Sequence, residues 1–577
     1  MGKDFFGHYS NNSLWRDRIQ VVRRFFKKNF EILLVFSLAS VFAFLSVFHV
    51  FYWAFKTPVG SVYLWLGHYW EDYFTYLSQI DQGLRGKWLL ENVMTGENGT
   101  LSLIGWGNLW LGWGGRLLGL SAPLAYWLGV LGFNFVSIIL TYLVVRVIFD
   151  RERYLRLSAF LVFLFSSSFY WLVEKEGERA LSLLDHWYST GPAFNRIGTI
   201  PHHSIANVLI LSSVLLFYLS LKMIKRGKFG LKFWGGVILN GIFLGLNFLV
   251  KPGVVLIFCF SFGMVLIFWA GRDFLKKKKF NFCFLAPILG YFPFLLAAGV
   301  YTLNVFGKFH FLEMKKWDMA MTRVLDRPKF FLSFGPVIFL GVLGIKSLLK
   351  KLEPLRVMGF LVVLMTFLFL WIPVGRWVGF LPYRVVSPAM HIFIGSMAVL
   401  GLKNLARLWV RFFKKGDWRK VFLIFVVLFL VFSLPALGLE IKAKVNNPSF
   451  GWMINFMPSG IYDSFEFLRE RGSDEEVVLA SGGMGINTAL PAFAAKRVFV
   501  GRTIETLDFD NKVKRLNDFF ELKMTREGAK DFLEGNKIKY VLVTVFDGWG
   551  KAEDFKEKYD LGKKIFENAM VTIFKVD

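Results

Sequence analysis

Long apolar runs separated by short basic segments constrain the fold of this 577-residue chain more than any other feature. Each run has about 17 to 25 residues, enough to cross the hydrocarbon core of a bilayer as a helix. The eleven runs lie near 31–54, 121–146, 157–174, 204–221, 234–250, 253–270, 281–303, 331–349, 357–374, 385–402 and 421–438. With 55% hydrophobic residues and a mean hydropathy of +0.47, the chain is too apolar for a soluble protein of this size. The pattern predicts a polytopic α-helical membrane protein.

The formal net charge of +27 lies mainly in the segments between the apolar runs. Lysine and arginine in short loops orient membrane helices, so we interpret the charge as a topology signal and predict no nucleic-acid partner. A basic segment, 1–30, places the N-terminus in the cytoplasm, and the first run lacks a convincing cleavage site and is predicted to stay as a span. The other short basic segments, all cytoplasmic in this topology, are 151–156, 225–232, 271–279, 350–356 and 403–420.

An odd number of spans places everything after the last run outside the plasma membrane. The chain is thereby divided into a transmembrane domain, 31–438, and an extracytoplasmic domain, 439–577. The outer loops are 55–100, 175–203, 304–330 and 375–384. The Gly- and Trp-rich segment 101–120 is predicted to be interfacial or re-entrant. Cys259 and Cys283 both lie in apolar runs, so no disulfide framework is predicted for the outer regions.

The C-terminal domain has an α/β pattern. Strands are predicted at 477–481, 497–501, 540–546 and 571–576, alternating with helices near 461–471, 508–521, 526–534 and 552–559. The Gly-rich stretch SGGMGIN follows the first of these strands, but it lacks a complete G-x-G-x-x-G and a P-loop lysine. A turn is therefore favoured over a nucleotide site.

The first outer loop contains a strip of acids and aromatics, HYWEDYFTYLSQIDQGLRGKW, at 68–88. Drawn as a helix, it has an apolar stripe expected to lie on the membrane surface: Trp70, Phe74, Leu77, Ile80, Leu84 and Trp88. Asp72, Thr75 and Gln79 fall on the opposite face, with Glu71 a quarter-turn away from Asp72. Two interpretations stay open: a solvated polar face, or a cavity in which Asp72 acts as a general base on an acceptor hydroxyl.

The second outer loop ends with Asp185, Arg196, His202 and His203 near a span. The two histidines can ligate a metal together with Asp185, but their spacing matches no defined metal motif, and they also suit ligand-free interfacial groups. Pro201 predicts a helix start, whose free N–H groups favour an anion such as phosphate.

Three cations stand at the outer ends of other spans. Lys251 follows the fifth run, and Arg376 and Arg384 flank the short loop before the tenth. Each is either an interfacial anchor or a contact for an anionic headgroup. The span centres contain almost no ionisable residues, which disfavours an ion-coupled transporter.

Short stretches along the chain resemble the GT-C glycosyltransferases, membrane enzymes that use polyprenyl-phosphate sugars, and among them an uncharacterised prokaryotic branch with an outer C-terminal α/β domain. The matching stretches are EDYFTYLSQIDQG with GKWL (71–89), IPHHSIANVLIL (200–211), LNFLVKPGVVL (246–256), LPYRVVSPAMHIFI (381–394) and 477–512. The resemblance implies that the first-loop acid of the family is Asp72, its proline-histidine pair Pro201-His202 and its arginine Arg384. Lys251 stands where relatives often carry histidine, so its role is not transferred.

The resemblance implies transfer of a sugar from a polyprenyl-phosphate donor to a glycan, lipid or protein acceptor at the outer face, with Asp72 as the base. Taken together, the positions of the polar outer-loop residues and the resemblance give these candidate substrate-binding residues: Glu71, Thr75, Gln79, Arg196, His202, His203, Lys251, Arg376 and Arg384. No cofactor is required by the pattern; if a divalent metal (Mg, Mn or Ca) takes part, its predicted ligands are Asp72, Asp185 and His202. The alternatives are a non-catalytic binding or assembly protein of the cell envelope and a lipid-linked glycan transporter.

Overall fold

The computed structural model describes residues 12–175, 177–186, 189–278, 281–308, 311–321, 326–372, 382–414, 416–446, 452–481, 483–547 and 552–576. The helices, in chain order, are α1 (Asn12–Phe55), α2 (Trp70–Leu84), α3 (Trp106–Leu118), α4 (Ala122–Ile148), α5 (Arg153–Phe165), α6 (Ala193–Ile197), α7 (Pro201–Lys225), α8 (Leu231–Phe248), α9 (Pro252–Lys277), α10 (Ala286–Phe306), α11 (Leu312–Met321), α12 (Arg327–Leu332), α13 (Pro336–Lys350), α14 (Pro354–Trp371), α15 (Pro388–Phe413), α16 (Trp418–Asn446), α17 (Trp452–Asn455), α18 (Ser459–Arg469), α19 (Ile486–Phe493), α20 (Phe509–Phe520), α21 (Arg526–Gly535) and α22 (Ala552–Tyr559). The strands are β1 (Ser61–Tyr63), β2 (Tyr170–Lys175), β3 (Glu178–Leu183), β4 (Phe456–Pro458), β5 (Val477–Ala480), β6 (Arg497–Val498), β7 (Ile538–Thr544), β8 (Lys564–Glu567) and β9 (Val571–Lys575).

Within the described residues, nine helices are long and apolar enough to cross a membrane. They are Asn29–Phe55 of α1, α4, α7, α8, α9, Phe282–Phe306 with α10, α14, α15 and α16. Helix α15 lies at the centre of the bundle, since 83% of its most apolar window is buried. The prediction of a polytopic α-helical membrane protein with a C-terminal α/β domain is confirmed.

The predicted run 157–174 is only partly helical. Helix α5 ends at Phe165, and Tyr170–Lys175 instead forms an antiparallel hairpin with β3. Three serines, 166–168, follow the helix, and their hydroxyl groups all bond to side chains or a carbonyl of other segments. Serine side chains that bond elsewhere compete with the helical backbone pattern, which explains the early end.

The predicted run 331–349 is divided by a glycine. Helix α12 ends at Leu332, Gly335 has a φ of 69°, and α13 begins at Pro336. A Cβ on Gly335 would stand 2.1 Å from the carbonyl oxygen of Ser167, so only glycine fits this left-handed position. At 13 and 15 residues, α5 and α13 are shorter than the nine spans.

The Gly- and Trp-rich segment 101–120 forms the 13-residue helix α3, which packs on α2. The two backbones approach closely through glycines. A Cβ on Gly83 would lie 2.1 Å from the Leu109 carbonyl oxygen, and a Cβ on Gly112 would lie 2.1 Å from that of Ile80. The segment therefore supports the first outer loop and does not add a long span of its own.

The C-terminal domain contains a five-stranded sheet with the order β6-β5-β7-β9-β8. Strands β6, β5 and β7 are parallel, and β9 runs antiparallel to both β7 and β8. All four predicted strands and all four predicted helices are present. The sequence interpretation missed β8 and the helix α19, which begins directly after Gly485 in the stretch expected to be a plain turn.

The C-terminal domain packs directly on the first outer loop. Strand β1 pairs antiparallel with β4, and Thr95 forms an isolated bridge with Val500. Apolar side chains of α2, α4, α18, α19 and β5 share one core. The loop and the domain therefore lie at the same end of the helix bundle, as the predicted topology requires.

Candidate active site at the first outer loop

Helix α2 carries the candidate base, Asp72, in its first turn. Its apolar residues Phe74, Leu77 and Ile80 are fully buried, and the rings of Phe74 and Phe493 in α19 lie 6.1 Å apart. For these three residues the expectation that the stripe faces the membrane is wrong, since they pack against protein, whereas Trp88 at the end of the stripe is 71% exposed. Periodicity alone cannot distinguish these environments, because lipid and a protein core bury the same residue types.

Asp72 forms an ion pair with Arg502 of the C-terminal domain. The Nη2 group of Arg502 donates to Oδ1 of Asp72, and the two side chains are 11% and 25% exposed. No described residue donates a hydrogen bond to the second oxygen, Oδ2. The carboxylate thus has one oxygen paired with Arg502, and one quarter of the Asp72 side chain is exposed.

Residues of the segment 502–505 contact both acids in the first turn of α2. Arg502 also donates to Oε1 of Glu505 at 3.2 Å, and the Thr503 hydroxyl donates to Oε1 of Glu71 at 3.3 Å. Burial opposes the charge of Arg502, but Glu505 and Asp72 together raise the pKa of its guanidinium. Burial raises the pKa of the Glu505 carboxyl, and Arg502 works against that shift. Arg502 is therefore the cation shared by two acids.

An aromatic and two histidines adjoin the acids. Tyr76 lies one turn after Asp72, and its ring is 4.8 Å from that of His202 and perpendicular to it. The His203 ring is 4.5 Å from that of His202. Burial raises the pKa of Tyr76, which keeps this phenol neutral, with Asp72 and Arg502 within its electrostatic range. The start of α7 is thus brought to the first turns of α2.

Lys251 and Arg384 complete the cationic side of the site. The backbone turn after Lys251 packs on Arg384, because a Cβ on Gly253 would lie 3.3 Å from the Arg384 carbonyl oxygen. Arg384 donates to both carboxylate oxygens of Asp318 at 2.7 Å. Lys251 forms no ion pair with a described residue; burial, reinforced by Arg384, lowers its pKa to about 7. His203 lies within electrostatic range of both cations.

These residues are called the Asp72 cluster. Its members are Glu71, Asp72, Tyr76, His202, His203, Lys251, Arg384, Arg502 and Glu505. Six of them are predicted from the sequence. Thr75, a seventh predicted residue, is buried beside the Glu505 carboxyl.

Three other predicted binding residues are placed differently. The Gln79 side chain accepts a hydrogen bond from Asn108 at 2.7 Å, so it joins α2 to α3. Arg196 is 1% exposed and donates to four backbone carbonyls, which makes it a buried support of the second loop. The structure therefore does not bring these two side chains into the Asp72 cluster. Arg376 lies outside the described residues.

The predicted metal ligands are not assembled within the described part of the chain. No group of three or more His, Cys, Asp or Glu side chains is placed there to hold a metal ion. Asp72 is paired with Arg502, Asp185 accepts from Asn195 at 3.4 Å, and His202 packs on Tyr76. The set Asp72, Asp185 and His202 does not fit a metal site in this arrangement.

Sequence reasoning missed Arg502 and Asp318. Arg502 and Glu505 lie in the stretch 477–512 that resembles the family, but no functional residue is transferred to that stretch, and the sequence analysis assigns no role to Asp318. The separation between Asp72 and Arg502 is 430 residues, so no local pattern joins them. The available signal was that VGRTIET follows a strand end, where loops place functional side chains.

No protein-family model matches the chain, and no curated protein sequence matches it. Among solved structures, the oligosaccharyltransferase AglB from Archaeoglobus fulgidus, in complex with an inhibitory peptide and a dolichol-phosphate, is similar with a TM-score of 0.52 and 14% identity, over 90% of this chain and 70% of AglB. The arabinofuranosyltransferase AftD from Mycobacteria is similar with a TM-score of 0.53 and 13% identity, over 95% of this chain and 40% of AftD. ArnT from Cupriavidus metallidurans, bound to undecaprenyl phosphate, gives a TM-score of 0.47 and 11% identity, over 95% of this chain and 98% of ArnT.

These structural neighbours are GT-C glycosyltransferases. The superpositions on AglB and AftD show that this chain has the GT-C fold, and the fold that the sequence resemblance implies is confirmed. At this level of identity the likeness establishes the architecture, so the activity has to be argued from the residues of the Asp72 cluster.

Proposed function

We propose that this chain is a glycosyltransferase that moves a sugar from a polyprenyl-phosphate donor to an acceptor hydroxyl on the extracytoplasmic face, with Asp72 as general base. The observation that carries the proposal is the position of Asp72. It lies in the first turn of α2, at the end of a GT-C bundle, with one quarter of its side chain exposed and three basic side chains nearby. AglB, which shares the fold, was solved with a dolichol-phosphate.

The cationic side of the cluster supports an anionic lipid phosphate. Burial, reinforced by repulsion from Arg384, lowers the pKa of Lys251 to about 7. A bound phosphate would offset the repulsion and keep the ammonium protonated. Asp318 orients Arg384, and His202 adds a hydrogen-bonding ring at the start of α7. The donor phosphate is therefore assigned to the space between Lys251, Arg384 and His202.

The chemistry is a single displacement. Asp72 Oδ2 removes the proton of the acceptor hydroxyl while that oxygen attacks the anomeric carbon. The bond from this carbon to the phosphate oxygen breaks, and the lipid phosphate leaves with the electron pair. Its negative charge develops beside Lys251 and Arg384, which stabilise the transition state. One displacement inverts the anomeric configuration.

The direction of the chain across the membrane follows from the positive-inside rule. We assign the N-terminus to the cytoplasm and the C-terminal domain to the outer face of the plasma membrane. Contact between the first outer loop and that domain supports one shared compartment. The partners are then the lipid-linked donor, membrane lipids and a glycan, lipid or protein acceptor.

Reconstitution of the full chain in liposomes with radiolabelled polyprenyl-phosphate sugars tests the proposal. Transfer of label to an added acceptor is expected. Donor binding without transfer would favour an assembly protein, and movement of the donor across the bilayer would favour a transporter. Asp72→Asn should slow transfer by about 100- to 10,000-fold and keep donor binding. The control Asp560→Asn, at an exposed position, should be fully active.

A further inference from the structure

We propose that Arg502 of the C-terminal domain is a positioning residue for Asp72, so that the active site is complete only when this domain is docked on the first outer loop. The inference rests on the proposed function. Arg502 holds Oδ1 of Asp72 and is itself held by Glu505. A guanidinium in this place fixes the orientation of the carboxylate and directs Oδ2 toward the acceptor hydroxyl.

The loop that carries Arg502 is fixed at both ends to one residue of the first outer loop. The Gly501 amide donates to the Met94 carbonyl at 3.0 Å, and the Thr506 hydroxyl donates to the same carbonyl at 2.8 Å. The Gly501 amide also donates to the Thr506 hydroxyl at 3.0 Å. A Cβ at position 501 would lie 2.9 Å from Met94 Cα, so the absence of a side chain permits this approach. Arg502 is therefore presented to α2 by a closed, hydrogen-bonded loop.

Docking of the domain does not depend on Arg502. Separate ion pairs join the domain to the same loop region: Arg469–Asp81, Arg497–Glu91 and Lys512–Glu97. The shared apolar core adds to them. Loss of the Arg502 charge should therefore leave the domain docked while the carboxylate of Asp72 loses its orientation.

The neighbouring contacts point to the same role. The Thr503 hydroxyl donates to Glu71, so consecutive residues of the loop engage both acids of α2. Burial raises the pKa of Glu505, the Arg502 guanidinium counteracts that rise, and the adjacent Asp72 adds to it. Removing the central cation should therefore change the pH dependence of the rate, which a purely structural contact would not do.

The test compares Arg502→Gln, Arg502→Lys and Arg469→Gln in the full reconstituted chain. Loss of one charged hydrogen bond to the base predicts that Arg502→Gln lowers kcat by about 10- to 100-fold, with the donor KM within about twofold of wild type. Arg502→Lys keeps the charge and should recover most of that loss. Arg469→Gln removes another ion pair between the domain and α2, the pair with Asp81, which keeps Arg85 as a partner; this variant should keep kcat within about twofold.

A normal kcat and pH profile in Arg502→Gln, with Asp72→Asn inactive, would overturn this inference and leave the proposed function standing. Transfer by Asp72→Asn within about tenfold of the wild-type rate would instead overturn the proposed function. An equal loss of kcat in Arg469→Gln would show that the rate depends on docking of the domain and not on the contact between Arg502 and Asp72, which would also overturn this inference. If Arg502→Gln does not fold, Glu505→Gln replaces it: this change removes the support of Arg502 and should lower kcat without raising the donor KM, and an unchanged kcat would again refute the role.

Discussion

Replacing Glu91 by glutamine is expected to loosen the docking of the C-terminal domain by about 3 kcal/mol. The Arg497 side chain is 1% exposed and pairs with the Glu91 carboxylate, which is 12% exposed. Its other acceptors are neutral: the Glu97 carbonyl at 3.0 Å and the Asn98 side chain at 2.8 Å. Breaking one partner of a buried pair costs about 3 to 5 kcal/mol, and the lower value applies because two acceptors remain.

Amide hydrogen exchange at two adjacent residues measures this loss. The Val498 amide donates to the Val93 carbonyl across the interface at 3.2 Å, whereas the Phe499 amide donates to Val478 within the domain at 3.1 Å. A loss of about 3 kcal/mol corresponds to about a 150-fold larger undocked population. Val498 should then exchange about 150-fold faster in the Glu91→Gln variant, and Phe499 should keep its protection.

The matched control is Arg526→Gln, which removes an ion pair with Asp560 whose partners are 63% and 68% exposed. Exposed pairs contribute little, so this variant should exchange like wild type at both amides. Faster exchange at Phe499 as well would mean that the domain unfolds and does not merely separate. Val498 exchange within about threefold of wild type in Glu91→Gln would refute the energetic role given to the Arg497 pair.

Three further outcomes are expected. Burial, reinforced by Lys444, lowers the pKa of His68 to about 3. Between about pH 7 and about pH 5 this histidine therefore gains a proton only in the unfolded state, and the free energy of unfolding falls by up to about 2 kcal/mol. The accompanying fall in Tm should be smaller in His68→Gln. Gly112→Ala should lower Tm, because its Cβ would lie 2.1 Å from a carbonyl oxygen, whereas Gly114→Ala, which meets open space, should not. Arg384→Ala should raise the donor KM, and an unaltered donor KM and rate would argue against phosphate contact.

The membrane architecture could be predicted because repeated apolar runs of spanning length, separated by basic loops, are typical of membrane helices and rare in soluble chains. The breaks in the helices within the runs 157–174 and 331–349 could not be predicted, since they depend on tertiary contacts. Ser167 bonds to Glu440, far along the chain, and Gly335 is required only because another backbone passes beside it. The strands and helices of the C-terminal domain were predictable from local periodicity, but the helix after Gly485 was hidden in a stretch typical of a turn.

Only some of the residues in the candidate site were predictable from the sequence. Asp72, His202 and Arg384 lie in stretches with a recognisable pattern, and the structure brings them to one end of the bundle. Their partners Arg502 and Asp318 come from remote segments, and a sequence contains no direct record of which charges meet across a fold. Conversely, the sequence does not distinguish Arg196, a buried arginine that donates to backbone carbonyls, from an arginine that binds a ligand.

Single-turnover transfer by the Asp72→Asn variant tests the central claim most directly. The full chain is loaded with a radiolabelled polyprenyl-phosphate sugar, acceptor is added, and the first transfer is followed together with donor affinity. We expect unchanged donor affinity and transfer slowed by about 100- to 10,000-fold, the usual contribution of a general base. Transfer within about tenfold of the wild-type rate would contradict the assignment of Asp72.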